Sequence, residues 1–147
     1  MADIPWLQSF TIGHADIDRR HRQLLETLNA MNAAREAGDL KAARACCHNL
    51  REQLRQHFDA EEQLLRDSNF PRLDEHLETH DAAWRVIGLA SSGCLGEGAR
   101  KSQGDCQLMS EHNGCAERWT HAILRHVILA DLDFKSHLQA QKLTGAA

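Results

Sequence analysis

Seven side chains of this 147-residue chain have the types and spacings of metal ligands. His57 and Glu61 are four residues apart, His76 and His80 are four apart, His126 precedes Asp131 by five, and His21 stands by itself. On a helix, residues i and i+4 project from one face, so each of the first two pairs aims two donors in one direction. Imidazole nitrogen mixed with carboxylate oxygen is a donor set for first-row transition ions. The last pair fits less simply. At 100° per residue it is about 140° apart on an α-helix, so Asp131 must reach sideways.

Four helices are needed to carry these groups. Gly13 blocks an early start, and Asp16 is read as the N-cap of a helix from Ile17 to about Ala37, with Leu24, Leu25, Leu28 and Met31 on one stripe. Gly38-Asp39 is a stop followed by a new cap, opening a second helix from Leu40 to about Arg66. Ser68-Asn69-Phe70-Pro71 is a turn, and Pro71 suits the first position of a third helix, from Arg72 to about Ala90. Ser91 to Gly98 contains three glycines and reads as loop, and a last helix covers Glu117 to about Gln139. The expected fold is all-α, an up-down-up-down four-helix bundle, with residues 1–15 as an N-terminal arm and 91–115 as an extended connection between the third and fourth helices. Residues 1–147 then form a single domain.

Height along such a bundle is an independent test. At 1.5 Å per residue, His21, His57, Glu61, His76, His80, His126 and Asp131 all fall between about 6 and 19 Å above one end, provided that the last helix descends. Burying seven such groups unpaired would be costly, so a metal is expected among them. The other histidines read as structural or exposed. His48 faces away from His57, His121 lies about 140° from His126, His14 precedes the first helix, His112 adjoins Asn113-Gly114, and His137 lies about three turns beyond His126.

Composition narrows the class. There are 17 basic and 21 acidic residues, and the basic ones are scattered, so no nucleic-acid partner is expected. No apolar run is long enough to span a bilayer. The first ten residues include Asp3 and lack a basic start, which does not read as a signal peptide, and a cytoplasmic location is the expectation. None of the five cysteines forms a CxxC pair, which argues against a zinc ribbon or a thioredoxin-type motif.

Four stretches resemble one family. Gly13-His14-Ala15-Asp16-Ile17-Asp18-Arg19-Arg20-His21 is similar to a G-x-x-x-I-D-x-x-H opening, and His57-Phe58-Asp59-Ala60-Glu61-Glu62 to H-F-x-x-E-E. Phe70-Pro71 followed by His76 and His80 resembles an aromatic-Pro and H-x-x-x-H pattern, and His126 with Asp131 a closing H-I-x-x-x-D. The family is hemerythrin, in its bacterial form. The likeness covers roughly residues 6 to 135. It implies two iron ions joined by an oxo or hydroxo bridge. His76, His80 and His126 would bind one iron, His21 and His57 the other, and Glu61 and Asp131 would span both. Two octahedral metals have twelve positions. Five imidazoles, two bridging carboxylates and one bridging oxygen fill all but one, which leaves a place for dioxygen. The implied function is reversible dioxygen binding for storage, delivery or sensing, in a protein that is not an enzyme. Leu24, Leu25, Leu54, Phe58, Trp84 and Ile123 are candidates for the apolar wall around that place.

Two departures from the family pattern stand out. Ala122 holds the place, four before the last histidine, where the family usually has Trp; Trp119 lies one turn earlier. The segment from Cys94 to Cys115, with Cys106, is long and cysteine-rich for the family. Among rival readings, a ferritin-like di-iron enzyme favours Glu-x-x-His pairs, which this chain lacks, and the chain has no tyrosine for a radical. A redox or oxygen sensor that signals to a protein partner is the nearer alternative.

Overall fold

The computed structural model describes residues 3–95 and 115–143. It is all-α. Helix α1 runs Ala15–Glu36, α2 Leu40–Asp67 and α3 Leu73–Leu95. The fourth position in the bundle is filled by α4 (Cys115–Leu124), a π-helical turn (Arg125–Ala130), a 3-10 turn (Asp131–Phe134) and α5 (Lys135–Leu143), which follow one another without a break. Each helix packs on the next, and α4 packs back on α1. Three residues join α1 to α2 and five join α2 to α3, links so short that neighbours must be antiparallel.

Two apolar layers fix the direction of the fourth rod. One cluster joins Leu24, Leu28 and Met31 of α1, Leu50 and Leu54 of α2, Ile87 of α3, and Trp119 and Ile123 of α4. The other joins Ile12 and Ile17, Leu65, Phe70, Phe134 and Leu138. Trp119 and Ile123 precede Phe134 and Leu138, so the fourth rod descends as α2 does, as the up-down-up-down topology expects. Burying such side chains contributes about 1.5–3 kcal/mol each, the main force holding the rods together.

The helix ends follow their local chemistry, with some differences from expectation. Gly38 has φ +75°, a left-handed stop, and the Asp39 side chain accepts from Ala42 N at 3.0 Å. At α1 the cap is His14, not Asp16: the helix begins at Ala15, and His14 Nδ1 accepts from Ile17 N at 3.3 Å. Asp16 instead pairs with Arg19 and Arg20, which holds its carboxyl below the usual range. Pro71 opens the turn before α3 rather than the helix itself. Helix α3 continues to Leu95, beyond the expected end at Ala90; Ser and Gly weaken a helix without breaking it, and no proline intervenes. The connection expected at 91–115 therefore begins later, and residues 96–114, with Cys106 and His112, lie outside the described residues.

The arm is tied down. The Asn29 side chain accepts from Ile4 N at 2.8 Å and donates to Ile4 O at 2.9 Å. Asp18 accepts from the backbone N–H of Ile12 and Gly13, and Phe10 and Ile12 are buried. Among the described residues, no helix is long and apolar enough to cross a membrane.

Candidate metal centre

The seven expected ligands form one polar layer between the two apolar clusters. Along each rod the order is the same: apolar, ligand, apolar. His21 lies between Ile17 and Leu24, Glu61 between Phe58 and Leu65, and His126 and Asp131 between Ile123 and Phe134. All seven are buried, with none more than 4% exposed.

Their donor atoms converge. The Nε2 atoms of His21 and His57 lie 3.2 Å apart, and those of His57 and His126 lie 2.9 Å apart. Asp131 Oδ2 is 2.6 Å from His21 Nε2, 3.1 Å from His126 Nε2 and 3.3 Å from His57 Nε2. Glu61 Oε2 is 2.8 Å from His57 Nε2. On its other oxygen, Glu61 meets His76 Nε2 closely and His80 Nε2 at 2.8 Å. The donors fall into two groups that share both carboxylates: His21, His57, His126, Glu61 and Asp131; and His76, His80, Glu61 and Asp131. His126, which the family resemblance assigns to the iron of His76 and His80, has its Nε2 2.9 Å from that of His57 and falls in the group of His21 and His57.

The π turn resolves the awkward spacing of the last pair. Asp131 N donates to His126 O, a bond across five residues instead of four. That widened turn brings residue i+5 back toward the face of residue i, and such turns are frequent at functional sites. Asp131 therefore enters the layer beside His126 instead of reaching around the helix.

This arrangement fits metal ions. Donors about 2.0–2.2 Å from one octahedral ion are separated by about 3 Å when adjacent, which is the spacing found here. Among the described residues, the Nδ1 atoms of His21, His57 and His126 are buried without a hydrogen-bond partner. In the absence of a cation, protons take over its electrostatic role. Burial lowers His21 despite Asp131. Burial acts the same way on His57, His76 and His126, but Glu61 and Asp131 outweigh it: His57 is raised, His76 reaches about 9 and His126 about 10. Glu61 and Asp131 are held well below the usual carboxylate range; burial opposes this, and the surrounding histidines prevail.

The surroundings are aromatic and apolar. Phe58 stacks on His80 at 3.9 Å between centroids and meets His126 edge-on at 4.6 Å. Leu24, Leu25, Leu54, Phe58 and Ile123 share one buried cluster, with Trp84 partly buried against it. Phe134, not singled out from sequence, closes the other side, 5.3 Å from His76. Beside Ala122, a groove of about 400 Å³ runs between α3 and the fourth rod to His126; Val86 and Leu129 stand exposed on it.

The remaining described histidines serve structure or solvent. His14 caps α1, His137 Nε2 donates to Ser68 O at 2.8 Å, and His48 and His121 are exposed. Sequence reasoning passed over one polar neighbour of the layer. Glu62 Oε2 lies 2.8 Å from His80 Nδ1. The doubled glutamate was the available signal.

Known proteins share sequence with this chain. The chain is 32% identical over 89 residues to a hemerythrin-like protein of Naegleria gruberi, covering 60% of this chain and 70% of that one. A hemerythrin-like protein of Naegleria fowleri matches to the same extent. A bacteriohemerythrin of Stenotrophomonas maltophilia (strain R551-3) is 27% identical over 81 residues, 55% of this chain and 53% of that one. No solved structure matches. The family described as the hemerythrin HHE cation binding domain matches residues 13–135, a span that holds all seven candidate ligands, and the chain belongs to that family.

Proposed function

We propose that this chain binds dioxygen reversibly at two iron ions, held by His21, His57, Glu61, His76, His80, His126 and Asp131. The observation that carries the reading is the pair of donor groups sharing Glu61 and Asp131 in one sealed layer. Two carboxylates common to both groups suit two ions side by side, whereas a single tetrahedral zinc needs only four ligands. By family resemblance His126 belongs with His76 and His80; its position near His57 makes that division the finer point to test. When bound, the iron pair would supply the electrons that dioxygen needs to bind, and would recover them on release.

The protein's own part is to position and to shield. Glu61 and Asp131 bring negative charge between the two groups. Phe58, Leu24, Leu25, Leu54, Ile123 and Trp84 exclude water, so that bound oxygen leaves as it came. Storage or delivery follows if release is reversible. The measurement is iron content with an optical spectrum of anaerobically reduced protein, followed by exposure to oxygen. About two irons per chain, with an absorption band that rises in oxygen and vanishes on its removal, is the expected result. Irons that oxidise at once and never release oxygen would favour a redox sensor or an oxidase. Little or no iron would end the reading.

A further inference from the structure

His80 is held differently from its fellow ligands. Its ring stacks on Phe58 at 3.9 Å and 13°, and it meets His76 edge-on at 4.7 Å. Its Nε2 faces Glu61 Oε1 at 2.8 Å, while its Nδ1 lies 2.8 Å from Glu62 Oε2 on the opposite edge. Consecutive glutamates of α2 thus serve the two edges of one ring. The Glu62 side chain is 29% exposed and takes no place among the converging donors. By contrast, the Nδ1 atoms of His21, His57 and His126 are buried with no hydrogen-bond partner among the described residues.

A neutral imidazole has one ring proton. With a cation on Nε2 that proton stands on Nδ1, where the Glu62 carboxylate can accept it. Such an outer partner fixes the ligand's tautomer and makes its free nitrogen more basic. We propose that Glu62 is a positioning residue that presets His80 as an Nε2 ligand and makes the His76/His80 half of the centre the tighter one. The second part rests on the two-metal reading, while the first does not.

The test has a metal-free arm and a metal arm, using wild type, Glu62→Ala and Glu62→Gln. In metal-free protein, ring ¹⁵N and ¹H shifts report whether the His80 Nδ1–H is hydrogen-bonded. Wild type shows that bond, Glu62→Ala loses it, and Glu62→Gln, whose amide oxygen still accepts, retains most of it. In anaerobic ferrous titrations against a competing chelator, Glu62→Ala weakens one of two ions by about 10- to 100-fold and leaves the other unchanged, with partial rescue in Glu62→Gln. Unaltered ring shifts in Glu62→Ala would overturn the positioning role. Equal weakening of both ions, or of neither, would overturn the tighter half. Failure of the wild type to bind iron would sink the two-metal reading and the tighter half together, while the ring shifts would still decide the Glu62–His80 contact.

Discussion

Glu61→Gln is the substitution that tests the centre most directly. It keeps the shape of the side chain and removes its charge. Glu61 belongs to both donor groups, touching His57 on one oxygen and His76 and His80 on the other. Breaking one partner out of a buried charged set costs about 3–5 kcal/mol. At about 1.4 kcal/mol per tenfold, iron affinity falls by roughly two to three and a half orders of magnitude, and it falls for both ions. His76→Gln is the internal control, because His76 belongs to one group and its loss weakens one ion. The assay is anaerobic ferrous titration against a chelator, with iron counted per chain after gel filtration. Folding is followed separately by circular dichroism, so that loss of iron is not mistaken for loss of the bundle. If folded Glu61→Gln keeps about two irons at wild-type affinity, the shared-carboxylate geometry is not the metal site.

Acidity gives a second prediction with a definite sign. In metal-free protein His57, His76 and His126 are raised above the free value of about 6.5. The stability they lend is full below that value and is lost as pH climbs toward about 9 and about 10. The depressed Glu61 and Asp131 contribute above about pH 4 and lose their contribution as pH falls through their folded values. His21, lowered by burial, opposes the other rings. A metal requires unprotonated rings and so releases protons on binding. The rise in Tm on iron loading should therefore grow between about pH 6 and about pH 9, and melts showing a constant rise would contradict it. Leu28→Ala, at a fully buried position, should cost about 2–5 kcal/mol and lower Tm by roughly 5–20 °C. Iron content in the folded variant should hold, and its loss would show that core and centre are not separable. Ala122→Trp should fill the groove beside His126. Azide should then reach the iron-loaded centre more slowly, at unchanged iron content; an unchanged rate in stopped-flow mixing would show that the groove is not a route.

Much of this was legible from spacing. The i, i+4 pairs on α2 and α3 needed only helical periodicity. The common height of all seven candidate ligands needed only rise per residue and short links. The direction of the fourth rod was conditional in the sequence, because the connection before it is long; the sorting of Trp119 and Ile123 from Phe134 and Leu138 into opposite apolar layers settles it. The cap of α1 was misread because Asp16 is the better cap by residue type, yet His14 sits where the chain leaves the extended region. Glu62 was overlooked because a half-buried glutamate beside a ligand has the same local sequence whether it meets solvent or His80.

The fourth rod shows why periodicity alone was insufficient. A strict α-helix would turn Asp131 about 140° from His126, and neither could shift by one residue without moving the apolar positions around them. Ile123 must face one layer and Phe134 the other, so the spacing between those layers is fixed by core packing and the ligands must fit between them. The π turn from Arg125 to Ala130 closes its hydrogen bond from Asp131 to His126, five residues back, where an α-turn closes over four. It weakens the regular hydrogen-bond ladder locally, and it delivers the second carboxylate to both donor groups. A local cost in helix geometry that no propensity scale favours is thus explained by the donor layer it completes: the backbone irregularity and the candidate metal centre are one feature, seen from the chain and from the donor atoms.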